Sequence, residues 1–367
     1  MRAITWIGVV ALVAGATAPA AAQTTGTVIT PAADEPASRV GTRGANFLLI
    51  GVGARGQAMA NAYTGLATGA TAMYWNPAGL GATSGIDVAF TRTALYEGLD
   101  ITHTFAGIVL PVLGGGLGLS FIQFDSGDIP RTTEDRPDGG DPLVGLAFSW
   151  QSTSMGLHYG RRLTDRLAVG VGAKLITEGM NDAQTKWWAL DVGTQFNTGL
   201  YGLQIGAALT NIGPSASPGG TLLERRINDT NVFPFAVPMQ FRTTAANLPT
   251  AFHFSLISQL LGTSEALLST TPGQSLRAVL EFADGVDTDL QTALAAEYSY
   301  RNTVFLRAGK RWFGETNTDF RTGSHGLSVG GGLRLPVLGR HLTFDYAHTS
   351  FTDLGAVQVF SFELGGN

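Results

Sequence analysis

The chain has 367 residues with 23 Lys and Arg against 28 Asp and Glu, a formal net charge of −5, which excludes a basic nucleic-acid footprint. Charged residues make up only 14%, well under the roughly 25% of soluble proteins. There are 49 Gly and no Cys, so disulfides and thiolate metal sites are excluded too.

Met1-Arg2, the apolar run Ile4 to Ala14 and Ala20-Ala21-Ala22 before Gln23 have the layout of a secretory signal peptide, 1–22. No later apolar run is long enough for a membrane helix. An exported, glycine-rich chain with few charges and no helical span is expected to be a transmembrane β-barrel of the outer membrane. Residues 23–44 are polar, with Pro, Thr and Ala, and are expected to form a flexible periplasmic tail. Residues 45–86 differ. Leu48, Leu49, Ile50, Met59, Tyr63, Met73, Tyr74 and Trp75 follow no period-two pattern, and 57–64 suits a short helix. An ordered apolar segment ahead of a barrel is expected to plug its lumen as a hatch. Within it Asn76-Pro77 reads as a turn, because Asn can close on its own backbone and Pro fixes the next dihedral.

From residue 87 the chain alternates. Leu167, Val169, Val171, Ala173 and Leu175 oppose Ala168, Gly170, Gly172 and Lys174. Phe360, Phe362 and Leu364 oppose Val359, Ser361 and Glu363 near the end. A sandwich would turn large polar residues to water, whereas this second face is mostly Gly, Ala and Ser. That contrast favours a barrel lumen. The pattern predicts about fourteen antiparallel strands, near 87–96, 101–111, 115–126, 152–162, 167–178, 185–197, 201–212, 249–258, 275–284, 289–300, 303–314, 324–335, 340–349 and 356–365. Connections after even strands are short, as periplasmic turns should be. The stretches 127–151 and 213–248 follow odd strands and are long. The segment 259–274, with Leu260, Leu261, Leu267 and Leu268, follows an even strand and suggests a short helix.

Parity places Lys174, Asp191, Arg277, Glu281, Glu297, Arg307, Arg334, Asp345 and Glu363 on inner faces. Mutual pairing, or pairing with the plug backbone, is expected, because unpaired burial of charge is costly. Trp187-Trp188, Trp312, Phe313, Phe351, Tyr298 and Tyr300 fall near strand ends and read as interface girdles. The six His are scattered and no Gly-x-Ser-x-Gly occurs, so no catalytic, cofactor or metal constellation is expected.

The ordered set Ala54-Arg55, Met59, Ala62-Tyr63 and Ala72-Met73-Tyr74-Trp75-Asn76-Pro77-Ala78-Gly79-Leu80 resembles the N-terminal signature of the PorV/PorQ family. Leu190-Asp191-Val192-Gly193, Leu209-Thr210-Asn211-Ile212-Gly213, Asn247-Leu248-Pro249-Thr250, Leu306-Arg307-Ala308-Gly309 and Phe344-Asp345-Tyr346-Ala347 extend the likeness. Departures occur at Ala60-Asn61, where the family usually has Gly-Gly, and at Lys310, where Tyr is frequent. The family is similar in architecture to the long-chain fatty-acid transporter FadL. The resemblance implies an outer-membrane barrel with an N-terminal hatch, whose motif here is Tyr74, Trp75, Asn76, Pro77, Ala78 and Gly79. It implies handling of secreted cargo proteins by their C-terminal sorting domains, with other type IX secretion components as partners. The alternative it implies is FadL-like passage of hydrophobic small molecules. Under either reading Phe233, Phe235 and Met239 are the expected outer-loop contacts, and the barrel wall meets outer-membrane lipid.

Overall fold

The computed structural model describes residues 42–365 apart from 97, 140–146, 181–182, 228–236, 263, 265, 270, 287, 314–325, 338 and 352–354. The expected signal peptide, most of the expected tail, and Phe233 and Phe235 lie outside the described residues.

Alternation builds one closed antiparallel barrel of fourteen strands. In chain order these are β1 (Asp87–Leu95), β2 (Ile101–Val112), β3 (Gly115–Asp125), β4 (Gln151–Arg162), β5 (Leu167–Met180), β6 (Ala183–Asn197) and β7 (Leu203–Ile212). There follow β8 (Ala251–Leu261), β9 (Gln274–Gly285), β10 (Gln291–Tyr300), β11 (Val304–Trp312), β12 (Leu327–Val337), β13 (Arg340–Phe351) and β14 (Gly355–Gly365). Closure is made by β1 on β14, with Phe90 opposite Phe362 and Arg92 opposite Phe360. A closed ladder leaves no unpaired edge, which is what lets strands cross lipid. The fold is that of an outer-membrane β-barrel.

Register sets which face is which. On β5, Val171 and Leu175 point outward, 55% and 69% exposed, while Gly170, Gly172 and Lys174 point inward. Short connections gather at one end. Leu113 and Gly114, both with positive φ, join Val112 to its partner Gly115 as a two-residue hairpin. The long connections after β3, β7 and β11 leave from the other end. One connection at the short end is long, between β8 and β9. Its expected helix is absent among the described residues. Leu260 and Leu261 instead extend β8, and Leu267 and Leu268 donate back to the Gln259 and Leu260 carbonyls. Alternation, not helical spacing, governs this apolar run.

A second correction concerns Trp187. It lies on the inner face, 5% exposed, and its indole donates to the Ala246 carbonyl at 3.0 Å. Its neighbour Trp188 faces outward, as do Trp312 and Tyr300. Adjacent residues on a strand cannot share a face.

Candidate functional site

The lumen is filled from the chain's own N-terminal segment. A 3-10 turn (Asn46–Leu49), α1 (Ala54–Ala58), α2 (Ala72–Trp75) and a second 3-10 turn (Pro77–Ala82) lie against inward faces of the wall. α1 packs on β11 to β14, and the second turn on β3 to β6. Small residues permit this closeness. A Cβ on Gly170 would overlap the Pro77 carbonyl, and one on Gly206 would overlap the Gly65 backbone.

The segment has a clear direction through the lumen. Gly44 N–H donates to the Asn247 carbonyl at 3.0 Å, and Ala45 N–H to the Glu178 carboxylate. Both partners lie at the long-connection end. At the far end Gly81 abuts the backbone of Arg161 and Arg162, where β4 turns toward β5. The chain therefore descends the lumen from the long-loop end and starts β1 at the short-turn end. Gly44 and Ala45 sit at the long-connection mouth of the barrel.

The aromatic motif is the core of this segment. Trp75 donates from its indole to Val52 O at 2.8 Å, and Tyr74 from its hydroxyl to Leu48 O at 3.0 Å. Trp75 meets Tyr63 and Tyr74 edge to face at 5.9 and 4.9 Å. Burial raises the phenol pKa values of Tyr63 and Tyr74, so both remain neutral, and the Tyr63 hydroxyl oxygen accepts from Arg55 at 3.3 Å. Asn76 is fully buried and extended. Its Oδ1 accepts from Ala78 N–H, capping the turn that Pro77 begins; its Nδ2 donates to Thr64 O and to Thr194 O of β6, both at 3.0 Å. Ala207 O of β7 is 3.4 Å away. Asn76 thus fastens the segment to the wall mid-lumen, in addition to closing the turn that the sequence suggested. Pro77, Ala78 and Gly79 are buried behind it.

Every inner charge of the expected network points inward. Glu297 receives Arg55 of α1 as a fork, 2.8 Å to each oxygen, and Arg307 at 2.7 Å. Arg307 continues to Asp345 at 2.5 Å, and Arg277 stands 3.9 Å from Glu297. Burial opposes the charge on Arg55, but the Glu297 carboxylate overrides it and raises the pKa well above the ordinary value. Glu281 accepts the N–H and hydroxyl of Thr64 at 3.1 and 2.5 Å. Lys174 pairs with Asp191 at 2.8 Å. Asp191 also accepts Asn211 N–H at 2.8 Å, where the β6–β7 register slips between Leu190 and Val192. The carboxylate takes over a donor that the bulge removes from the ladder. Met239 lies apart, exposed on a short hairpin of the long loop. Arg55 belonged to the quoted motif without a pairing role. Arg311 escaped notice although it shares the parity of Arg307.

Two of the cavities among the described residues lie in the lumen. One of about 170 Å³ lies between the aromatic face of the segment and the wall, with Leu49, Met73, Tyr74, Phe105, Ile122 and Arg311 in its lining. Lys174, Glu281 and His253 reach it from the wall. The other, about 390 Å³ and polar, opens toward the short-turn end beside Arg55, Asp87, Arg334 and Glu363. Among the described residues no three His, Asp or Glu side chains gather into a metal-binding group.

No known protein family matches the chain, and no curated protein does. Solved structures do. TbuX, the toluene transporter of Ralstonia pickettii, superimposes with a TM-score of 0.54 at 13% identity, over 88% of this chain and 100% of its own. A FadL homologue of Pseudomonas aeruginosa gives 0.49 at 11% identity, over 85% and 97%. The toluene transporter TodX of Pseudomonas putida gives 0.49 at 12%, over 86% and 96%. The first of these shows that the chain shares its outer-membrane β-barrel fold over 88% of its length.

Proposed function

We propose that the chain is an integral outer-membrane transporter of small hydrophobic molecules, with residues 45–86 acting as its hatch. The observation that carries this reading is the cavity of about 170 Å³ left between the segment's aromatic face and the inner wall. A cavity of roughly 150 Å³ holds a benzene ring, so the volume of this one suits a single-ring compound, with Met73, Tyr74, Phe105 and Ile122 on its apolar side. TbuX, which shares the fold, is a toluene transporter. Outward Val171, Leu175 and Trp188 meet the acyl chains of the membrane. The cargo-handling reading drawn from the PorV/PorQ resemblance has no comparable observation behind it.

The ion network and Asn76 hold the hatch in its resting position, and passage requires the segment to shift against the wall. Cells carrying the gene should take up radiolabelled toluene faster than cells of the same strain carrying an empty vector. Equal initial rates at low concentration would overturn the reading.

A further inference from the structure

We infer that the lumen cavity is a site for a compact organic monoanion, an apolar body of single-ring size bearing one carboxylate, and that Arg311 selects it. The inference rests on the transporter reading and names its substrate class.

The other cations near this level have carboxylates. Arg55 and Arg307 share Glu297, and Lys174 has Asp191. Arg311, four residues beyond Arg307 on the inner face of β11, forms no ion pair with a carboxylate of the described residues. Its Nε is shielded from solvent and has no hydrogen-bond partner. Its guanidinium lies over the Phe313 ring at 4.8 Å, a contact that leaves the charge uncancelled.

Register explains the vacancy in its pairing. Arg311 stands opposite Ala293 on β10, and Ala293 stands opposite Glu281 on β9. The two charges are thus two strand spacings apart, roughly 10 Å. Glu281 is turned away toward Thr64, which gives it both an N–H and a hydroxyl. The small Ala293 between them lines the cavity, as Arg311 and Glu281 do. A carboxylate entering beside Ala293 would meet a guanidinium whose planar fork matches it. The rest of such a molecule would lie against Met73, Tyr74, Phe105 and Ile122. The volume rules out a long acyl chain.

The test is equilibrium binding of labelled benzoate, benzyl alcohol and toluene to the full-length protein at neutral pH, for the wild type, Arg311→Gln and Arg311→Lys. The first two ligands share size and shape and differ in charge. Wild type should hold benzoate at least about tenfold more tightly than benzyl alcohol, since a site built for a charged partner discriminates strongly against an analogue lacking it. Arg311→Gln should abolish that preference, and Arg311→Lys should keep part of it. Benzoate bound no better than benzyl alcohol by the wild type, or a preference that survives Arg311→Gln, would overturn the inference while toluene binding left the transporter reading intact. If none of the three binds, both readings fail.

Discussion

Asn76 commits both amide hydrogens to backbone carbonyls, one in its own segment and one in β6, from a position with no solvent. Asn76→Ala removes the fastening and leaves the buried Ala78 N–H without its Oδ1 acceptor, at a cost of about 1–3 kcal/mol, while Thr64 O keeps Gln195 as a donor. The barrel ladder does not depend on it. The expected outcome is a barrel that still resists detergent but shows higher single-channel conductance in planar bilayers; an unchanged trace would refute the assignment. Glu297 holds two guanidiniums at once. Glu297→Gln leaves Arg55 without a carboxylate and Arg307 with Asp345 alone. Breaking such a buried pair from one side costs about 3–5 kcal/mol. The midpoint of heat-induced unfolding on gels should fall clearly below wild type. A midpoint equal to wild type would show the network to be dispensable.

At the scale of elements, strands were legible because their signal is local. The alternation around Gly170, Gly172 and Lys174 repeats every two residues and needs no knowledge of partners. The run Leu260-Leu261 misled because a short apolar stretch looks alike in strand and helix, and only the pairing of Leu261 with Leu276 on β9 decides it. Inner charges were legible by parity, yet their pairing was not. Arg55 meets Glu297 across 242 positions of sequence, and only closure of the barrel brings them together. Arg311 was readable by the same parity as Arg307, but nothing local marks a guanidinium as unpaired. The motif Tyr74 to Gly79 announced an ordered aromatic turn; that its amide would reach β6 required the register of the wall. Close backbone approach is the property that the wall glycines protect. Gly170→Val would drive a side chain into the Pro77 carbonyl. It should displace the second turn and make the segment sensitive to added protease, where the wild type resists; equal resistance would contradict the packing.

For the whole molecule, the consequential feature is that the segment runs down the lumen from the long-loop mouth. The chain has no native Cys, so single cysteines report sidedness cleanly. Thr42→Cys should react with a membrane-impermeant maleimide in intact cells, and Ser84→Cys only after the outer membrane is permeabilised. The reverse pattern would contradict the direction of threading. The same freedom from native thiols allows the lumen segment to be locked. A Cβ at Gly65 would lie 3.1 Å from Ser255 Oγ on β8, close enough for the paired substitutions Gly65→Cys and Ser255→Cys to join as a disulfide after modest adjustment of Ile257. The most direct measurement is uptake of labelled toluene by cells carrying this pair, oxidised and then reduced, with each single variant as control. The account predicts uptake at the empty-vector rate when locked and recovery on reduction. Equal uptake in the locked and reduced states would mean that the lumen segment does not govern passage.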